Sequence, residues 1–275
     1  MDKKRVLYVS QEIFPYTSET EMGVIGSALP QITQESGKDI RIFLPRFGTV
    51  NERRHQLHEV IRLSGMNLII DDFDHQLIIK VASIQQLRMQ VYFIDNEEFF
   101  PRRQMFHDNE GVLLSNNDER MIFYCKGVIE TVRKLGWSPD IIHCQGWFTG
   151  LVPMYIKKLY ADDPLFENTK VIYSVFDNGF EEELSDSIVE KLMFEDLKIE
   201  DVEGITKLNI GTINKFASLY ADGVIQASEN MDDSLLEYIK SLDKPFMPFP
   251  GEEDFNDAYL AFYDNFIEET EDVEV

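Results

Sequence analysis

Two rhythms of apolar residues alternate along most of this chain. Arg5-Val-Leu-Tyr-Val-Ser10, Asp39-Ile-Arg-Ile-Phe-Leu44, Asp140-Ile-Ile-His143, Lys170–Val175 and Gly223-Val-Ile-Gln-Ala-Ser228 are short runs with apolar residues at consecutive positions. A strand that is apolar on both faces belongs inside a parallel sheet covered by helices. Between these runs the period lengthens to that of a helix. Val24–Leu29, Phe148–Tyr160, Ile205–Tyr220 and Asp232–Lys240 suit helices, as does the stretch in which Ile122, Cys125, Ile129 and Val132 recur before Gly136. Asn116 stands at the N-cap of that last helix, with Glu119 at the capping-box position. Strands and helices in alternation predict a doubly wound, Rossmann-like α/β fold with a mainly parallel sheet.

Residues 57–95 break the rhythm. Val60–Leu63, Leu68–Ile70, Leu77–Val81 and Met89–Ile94 are strand-like pieces joined by brief polar segments. They predict a small antiparallel insertion that returns to the main sheet at Val91–Ile94. Phe180–Asp201 is strongly acidic and predicts a helix. Pro245, Pro248, Pro250 and Gly251 make a break. Beyond it Phe255, Tyr259, Phe262, Tyr263 and Phe266 form an aromatic stripe at helical spacing, with acids on the other face. The organisation predicted is a domain over residues 1–244, a linker over 245–253 and an acidic helix over 254–275 packed on the domain.

Ligands of such folds gather at the carboxyl ends of the strands, so the loop after Ser10 is the first place to look for chemistry. It reads Ser10-Gln-Glu-Ile-Phe-Pro-Tyr-Thr-Ser-Glu-Thr-Glu-Met-Gly23, with three glutamates, no lysine, no arginine and one late glycine. A phosphate cradle needs backbone donors and cations, and this loop makes a poor one. The whole chain repeats the bias: 26 Lys+Arg stand against 50 Asp+Glu, a formal net charge of −24 over 275 residues. That charge opposes nucleic acid and anionic membranes. No apolar run approaches a membrane span, and the run after Lys3-Lys4-Arg5 is too short for the core of a secretion signal. Cys125 and Cys144 make no disulfide framework. A reducing, cytoplasmic setting is the expectation. His55 and His58 lack the companion ligands of a metal site, so no metal or other cofactor is expected.

Four stretches, in order and spacing, resemble the bacterial glycogen (starch) synthases, and specifically their N-terminal domain. Glu12, Pro15 and Ala28-Leu-Pro30 sit where that family has its opening strand, loop and helix. Asp118-Glu-Arg120, ahead of a Phe-containing helix, is similar to the family's Asp-Asn-x-x-Arg-Phe region. Ser138-Pro-Asp-Ile-Ile-His-Cys-Gln-Gly-Trp-Phe-Thr-Gly-Leu-Val-Pro153 resembles its "PDVVHAHDWHTGLVP" segment, and Tyr220-Ala-Asp222 followed by Ser228 resembles its "YAD…VS" strand. The resemblance implies the N-terminal half of a GT-B glycosyltransferase, an enzyme that closes two Rossmann domains around ADP-glucose. Nothing in the sequence resembles the second of those domains.

The departures fall on the positions the family uses. Its Lys-Thr-Gly-Gly becomes Ser18-Glu-Thr-Glu21, its His-Asp-Trp-His becomes Gln145-Gly-Trp-Phe148, and its later His-Asn falls on Phe176-Asp177. Beside a diphosphate, Glu19 and Glu21 would repel where a lysine attracts. The candidate ligand contacts are Glu12, Tyr16 and Ser18 in the first loop, His143, Gln145, Trp147 and Thr149 around the second, and Asp177 and Asn178 beyond the third. None is expected to be catalytic. His143 reads equally as a satisfied structural histidine, and Trp147 as core. The expectation is a degenerate synthase-like protein without independent transferase activity, acting in α-glucan metabolism as a glucan-binding or regulatory partner. Two alternatives stay open: an active ADP-glucose-dependent 1,4-α-glucan glucosyltransferase completed by a partner domain, and an unrelated nucleotide-binding α/β module. The partners expected are an α-glucan, a protein of glycogen metabolism, or a second copy of the chain. A homodimer would meet through loops 11–23, 144–149 and 176–183, where Phe14, Tyr16, Trp147, Phe148, Phe176 and Phe180 gather. The C-terminal helix resembles the one with which that family's chain crosses back to its N-terminal domain.

Overall fold

The consecutive apolar runs all become strands of one sheet. The computed structural model describes residues 3–84, 87, 89–101, 104–177, 182–194, 197–251 and 254–271. In chain order the elements are β1 (Arg5–Ser10), α1 (Glu21–Glu35), β2 (Asp39–Pro45), α2 (Glu52–His55), β3 (His58–Glu59), β4 (Met66–Ile70), β5 (Phe73–Ile84) and β6 (Met89–Asp95). Then come α3 (Asn117–Leu135), β7 (Ile141–Gln145), α4 (Val152–Lys158), β8 (Lys170–Val175), α5 (Ile188–Leu192) and α6 (Ile199–Val202). The last are α7 (Ile210–Tyr220), β9 (Gly223–Gln226), α8 (Asp233–Ser241), β10 (Phe246–Met247) and α9 (Phe255–Glu271).

The sheet order is β10-β9-β8-β7-β1-β2-β6-β5-β3, with β4 paired to β5. Every pair from β10 to β6 is parallel, and β5 runs antiparallel to β3, β4 and β6. The α/β fold is therefore doubly wound, with its antiparallel part confined to the insertion. Chain order reverses between β1 and β7, which makes their carboxyl ends the switch point of the sheet.

Alternation along the strands fills two layers. On one face Val9, Ile142, Cys144 and Tyr173 pack against α3, α4 and α7. On the other, Val6, Tyr8, Ile141 and Ile172 pack under α1 and α9, and Tyr259, Phe262, Tyr263 and Phe266 of α9 are buried there. Gly223 makes that docking possible. A Cβ at this strand position would lie 2.5 Å from Phe266 Cζ, so a glycine is what lets the ring come this close to β9.

Several elements differ from the sequence reading, each for a tertiary reason. α1 extends beyond the Val24–Leu29 run at both ends, from Glu21 through Pro30 to Glu35, because Thr20 caps its start and Gly37 stands just past its close. Val60 bonds to Ile79 O, but Ile61–Leu63 form a turn, so β3 is shorter and earlier than expected. Asn116 occupies the N-cap of α3 without a side-chain cap bond, and Glu119 is drawn away to Lys191, 2.8 Å distant. Among its described residues the acidic stretch to Asp201 holds only the short α5 and the start of α6, because Leu184, Ile188, Leu192 and Leu197 dip separately into the core and Ser185 is tied to Asp118 at 2.6 Å. The proline-rich stretch is not purely a linker: Val224 N donates to Pro245 O at 3.0 Å, and Phe246–Met247 extend the sheet edge. Cys125 and Cys144 are both free and buried. Among the described residues no helix is long and apolar enough to cross a membrane.

Candidate functional site

The carboxyl ends of β1 and β7 are joined by two glutamines. Ser10 and Gln145 are register partners, and Ser10 Oγ donates to Gln145 Oε1 at 2.7 Å. Gln11 N donates to Gln145 O at 3.1 Å, and Gln11 Oε1 accepts from Phe148 N at 3.1 Å. Glu12, almost fully buried, is held in turn. Thr20 Oγ1 donates to its Oε2 at 2.6 Å and itself caps α1 by accepting from Gly23 N at 3.0 Å. This carboxylate positions the helix and offers no free oxygen pair to a ligand. Gly26 sits so close that a Cβ there would be 2.4 Å from Glu12 O.

The space at the carboxyl ends of these strands is filled by side chains. Gly146 adopts φ +86° as the chain leaves β7, and the methyl of Met22 lies 2.7 Å from where its Cβ would be. Met22, Phe176 and Ala227 form a buried apolar plug over the ends of the strands. A chain of bonds ties the plug down, Ser228 Oγ donating to Glu21 Oε2 at 2.6 Å and accepting from Asp177 N at 3.1 Å. Around it the field is negative. No lysine or arginine occurs between Arg5 and Lys38, and Glu19 and Glu21 are exposed at the start of α1.

The predicted ligand contacts scatter. Trp147, 1% exposed, packs against Phe106 with ring centroids 4.8 Å apart, on the α3 side of the sheet. Phe148 stacks beneath Tyr124. Tyr16 is buried against Phe93, Thr149 bonds back to Gly146 O, and Gln145 is fully buried. Ser18 and Asp177 are exposed, and Asn178 lies outside the described residues. The aromatics expected at one open edge do not gather there. Trp147 and Phe148 are core because the loop after β7 turns at once under α3 and α4, while Tyr16 packs on Phe93 and Phe176 on Met22; of the described ones, only Phe14, 40% exposed, faces water. Phe180 lies outside the described residues. Sequence reading passed over Gln11 and Met22, which carry no motif. Gly146, a glycine directly after a strand, was the one mark of the close approach.

His143 is a structural histidine. It lies on the α9 side of β7, its Nδ1 2.6 Å from Tyr263 OH and its Nε2 2.7 Å from Ser174 Oγ. Burial pushes its pKa down to about 3, so it is neutral near pH 7. The unfolded chain binds this proton near 6.5 and the folded chain only near 3. Its contribution to stability is therefore complete above the unfolded value and is lost as pH falls through the interval. The expected loss is up to about 1.4 kcal/mol per pH unit. Urea midpoints compared at about pH 7 and pH 5 should fall more steeply for the parent than for His143→Gln. Equal slopes would remove His143 as the source.

Residues 5–244 match the family described as "Starch synthase catalytic domain". The chain is 38% identical to a glycogen synthase of Chlorobium limicola over 172 residues, which cover 62% of this chain and 35% of that one. It is 34% identical to a glycogen synthase of Chlorobium luteolum over 211 residues, covering 76% and 42% respectively. The chain thus spans well under half the length of these two relatives. Its fold is similar to the catalytic domain of Starch Synthase IV from Arabidopsis thaliana bound to ADP and acarbose, with a TM-score of 0.73 at 17% identity over 90% of this chain and 51% of that one.

Proposed function

The chain belongs to the starch synthase catalytic domain family, and from that membership we propose that it acts in α-glucan metabolism without transferring glucose from ADP-glucose by itself. Its role on this reading is that of a glucan-binding or regulatory partner. Family membership leaves no place for the unrelated nucleotide-binding module.

The observation that carries the proposal is the plug at Gly146 inside an anionic loop. Transfer from ADP-glucose places developing charge on a diphosphate, which must be met by cations and preorganised donors. Here the first loop and α1 contain glutamates and no cation. A like-charge pair at about 4 Å costs roughly 4 kcal/mol near a protein surface, while each lost charge-assisted hydrogen bond forfeits about 1.5–3 kcal/mol. Phe176 offers no donor to a sugar hydroxyl or to a leaving group. The Met22 methyl sits against Gly146, where close backbone approach would be needed.

The test is incorporation of labelled glucose from ADP-glucose into glycogen, with glycogen cosedimentation measured on the same preparation. No incorporation above a boiled control is expected, together with retention on the glucan. Sustained incorporation that is abolished by a change at the β1–β7 edge would instead support an ADP-glucose-dependent 1,4-α-glucan glucosyltransferase. That reading is favoured by the 38% identity to a glycogen synthase, with another domain or chain supplying the diphosphate contacts.

A further inference from the structure

A concavity lies along the N-terminal half of α1, next to the plug: Glu21, which accepts from Ser228, and Ile25, which packs against the plug, both line it. It is a groove of about 520 Å³ whose walls are Val24, Ile25 and Ala28 of α1, Phe249 of the turn after β10, and Phe255 at the start of α9. Its size falls within the roughly 300–1,000 Å³ of ordinary ligand pockets. Val24 is 43% exposed and Phe255 is only half-buried against Tyr259. The lining is apolar apart from Glu21 and Asn256.

The electrostatic setting is one-sided. Neither α1 nor α9 carries a lysine, arginine or histidine anywhere along its length. Glu19, Glu21, Asp254 and Asp257 are exposed around this end of the two helices. Lys38, which follows α1, is already engaged by Asp264 at 2.9 Å. An occupant must bring apolar surface to fill the groove and positive charge to meet its rim. A nucleotide or an anionic membrane has the wrong sign. A glucan would leave hydroxyls against Val24, Ile25 and Ala28 without partners, which opposes its binding there. A second copy brings its own net charge of −24.

We propose that the α1–α9 groove docks a basic segment of a partner protein, with an apolar side chain entering between Val24 and Phe255 and flanking lysines or arginines meeting Glu19, Glu21, Asp254 and Asp257. The inference does not rest on the transferase question, since its test is read without ADP-glucose.

The probe is a fluorescein-labelled amphipathic peptide with lysine and leucine at helical spacing, followed by anisotropy at low and at physiological salt. The parent protein should bind it saturably. Val24→Lys should weaken binding about tenfold or more, because it sets a like charge inside the interface. Val24 is exposed, so an unchanged melting temperature is expected for that variant. Ile69→Lys, on the exposed β4 edge of the opposite face, should bind as the parent does. A peptide with the leucines changed to serine, and one with the lysines changed to glutamate, should both fail. Equal binding of the serine peptide would reduce the effect to bulk charge and overturn the proposal, as would a Val24→Lys variant indistinguishable from the parent. A parent that scatters light as a dimer and becomes monomeric on Val24→Lys would overturn it in favour of a second copy.

Discussion

Truncation after Pro250 leaves a chain that is unfolded or aggregated at room temperature. The truncation removes α9, and with it Tyr259, Phe262, Tyr263, Phe266 and Ile267, all buried on the sheet. Each such side chain stabilises the fold by about 1.5–3 kcal/mol, and five together approach the roughly 5–15 kcal/mol that holds a whole domain. The loss is also polar. Tyr263 OH, which bonds to His143 Nδ1 and lies 3.3 Å from Tyr8 OH, would leave a buried ring nitrogen unmet. Thermal unfolding followed by circular dichroism, with light scattering in parallel, measures the outcome. Phe266→Ala offers a milder version, expected to cost about 3–5 kcal/mol. A truncated monomer with the parent's melting temperature would show that α9 lies on the sheet without supporting it.

Replacing Arg120 by methionine has the next largest effect, about 3–5 kcal/mol in urea denaturation at an unchanged m-value. Its guanidinium is almost completely buried in α3, where it donates to Phe99 O at 2.8 Å, to Met105 O at 2.6 Å and to Asn117 Oδ1 at 2.6 Å. It also lies over the rings of Phe47 and Phe100, 5.6 and 5.4 Å from their centroids. Methionine fills the volume and keeps the ring contacts but leaves those acceptors dry. Arg120→Lys should recover only part of the loss, since an ammonium cannot fork between two segments. A methionine variant within about 1 kcal/mol of the parent would show that water replaces the guanidinium. The Asp118-Glu-Arg120 stretch, conspicuous in the sequence for its family resemblance, thus joins the loop before α3 to the helix.

The parallel sheet was legible because Asp140-Ile-Ile-His143 and its sister runs leave no polar alternation for a solvent face. β10 was not legible, since two residues among prolines become a strand only through the free edge of β9. The same limit governs the site. Proximity to a strand end says that Trp147 and Phe148 lie near the carboxyl edge, but not that both turn under α3. The lost lysine and the glutamates could be read directly from Ser18-Glu-Thr-Glu21. The plug could not, because Met22 has meaning only beside Gly146 and Phe176, which lie far from it in the chain and close to it in space.

The order of synthesis runs against the order of the sheet. β1 is made before both its neighbours, yet it lies between β2 and β7, and Ser10 meets Gln145 across a separation of 135 residues. Tyr8 meets Tyr263 across 255. At roughly 5–20 residues per second, one edge of β1 stays open for about 7–27 s after it is made, and the face that α9 covers stays bare for about 13–51 s. During translation this domain therefore presents an unpaired apolar strand and then an uncovered aromatic-binding face. Its yield in a cell should depend on whatever holds nascent chains apart until α9 arrives.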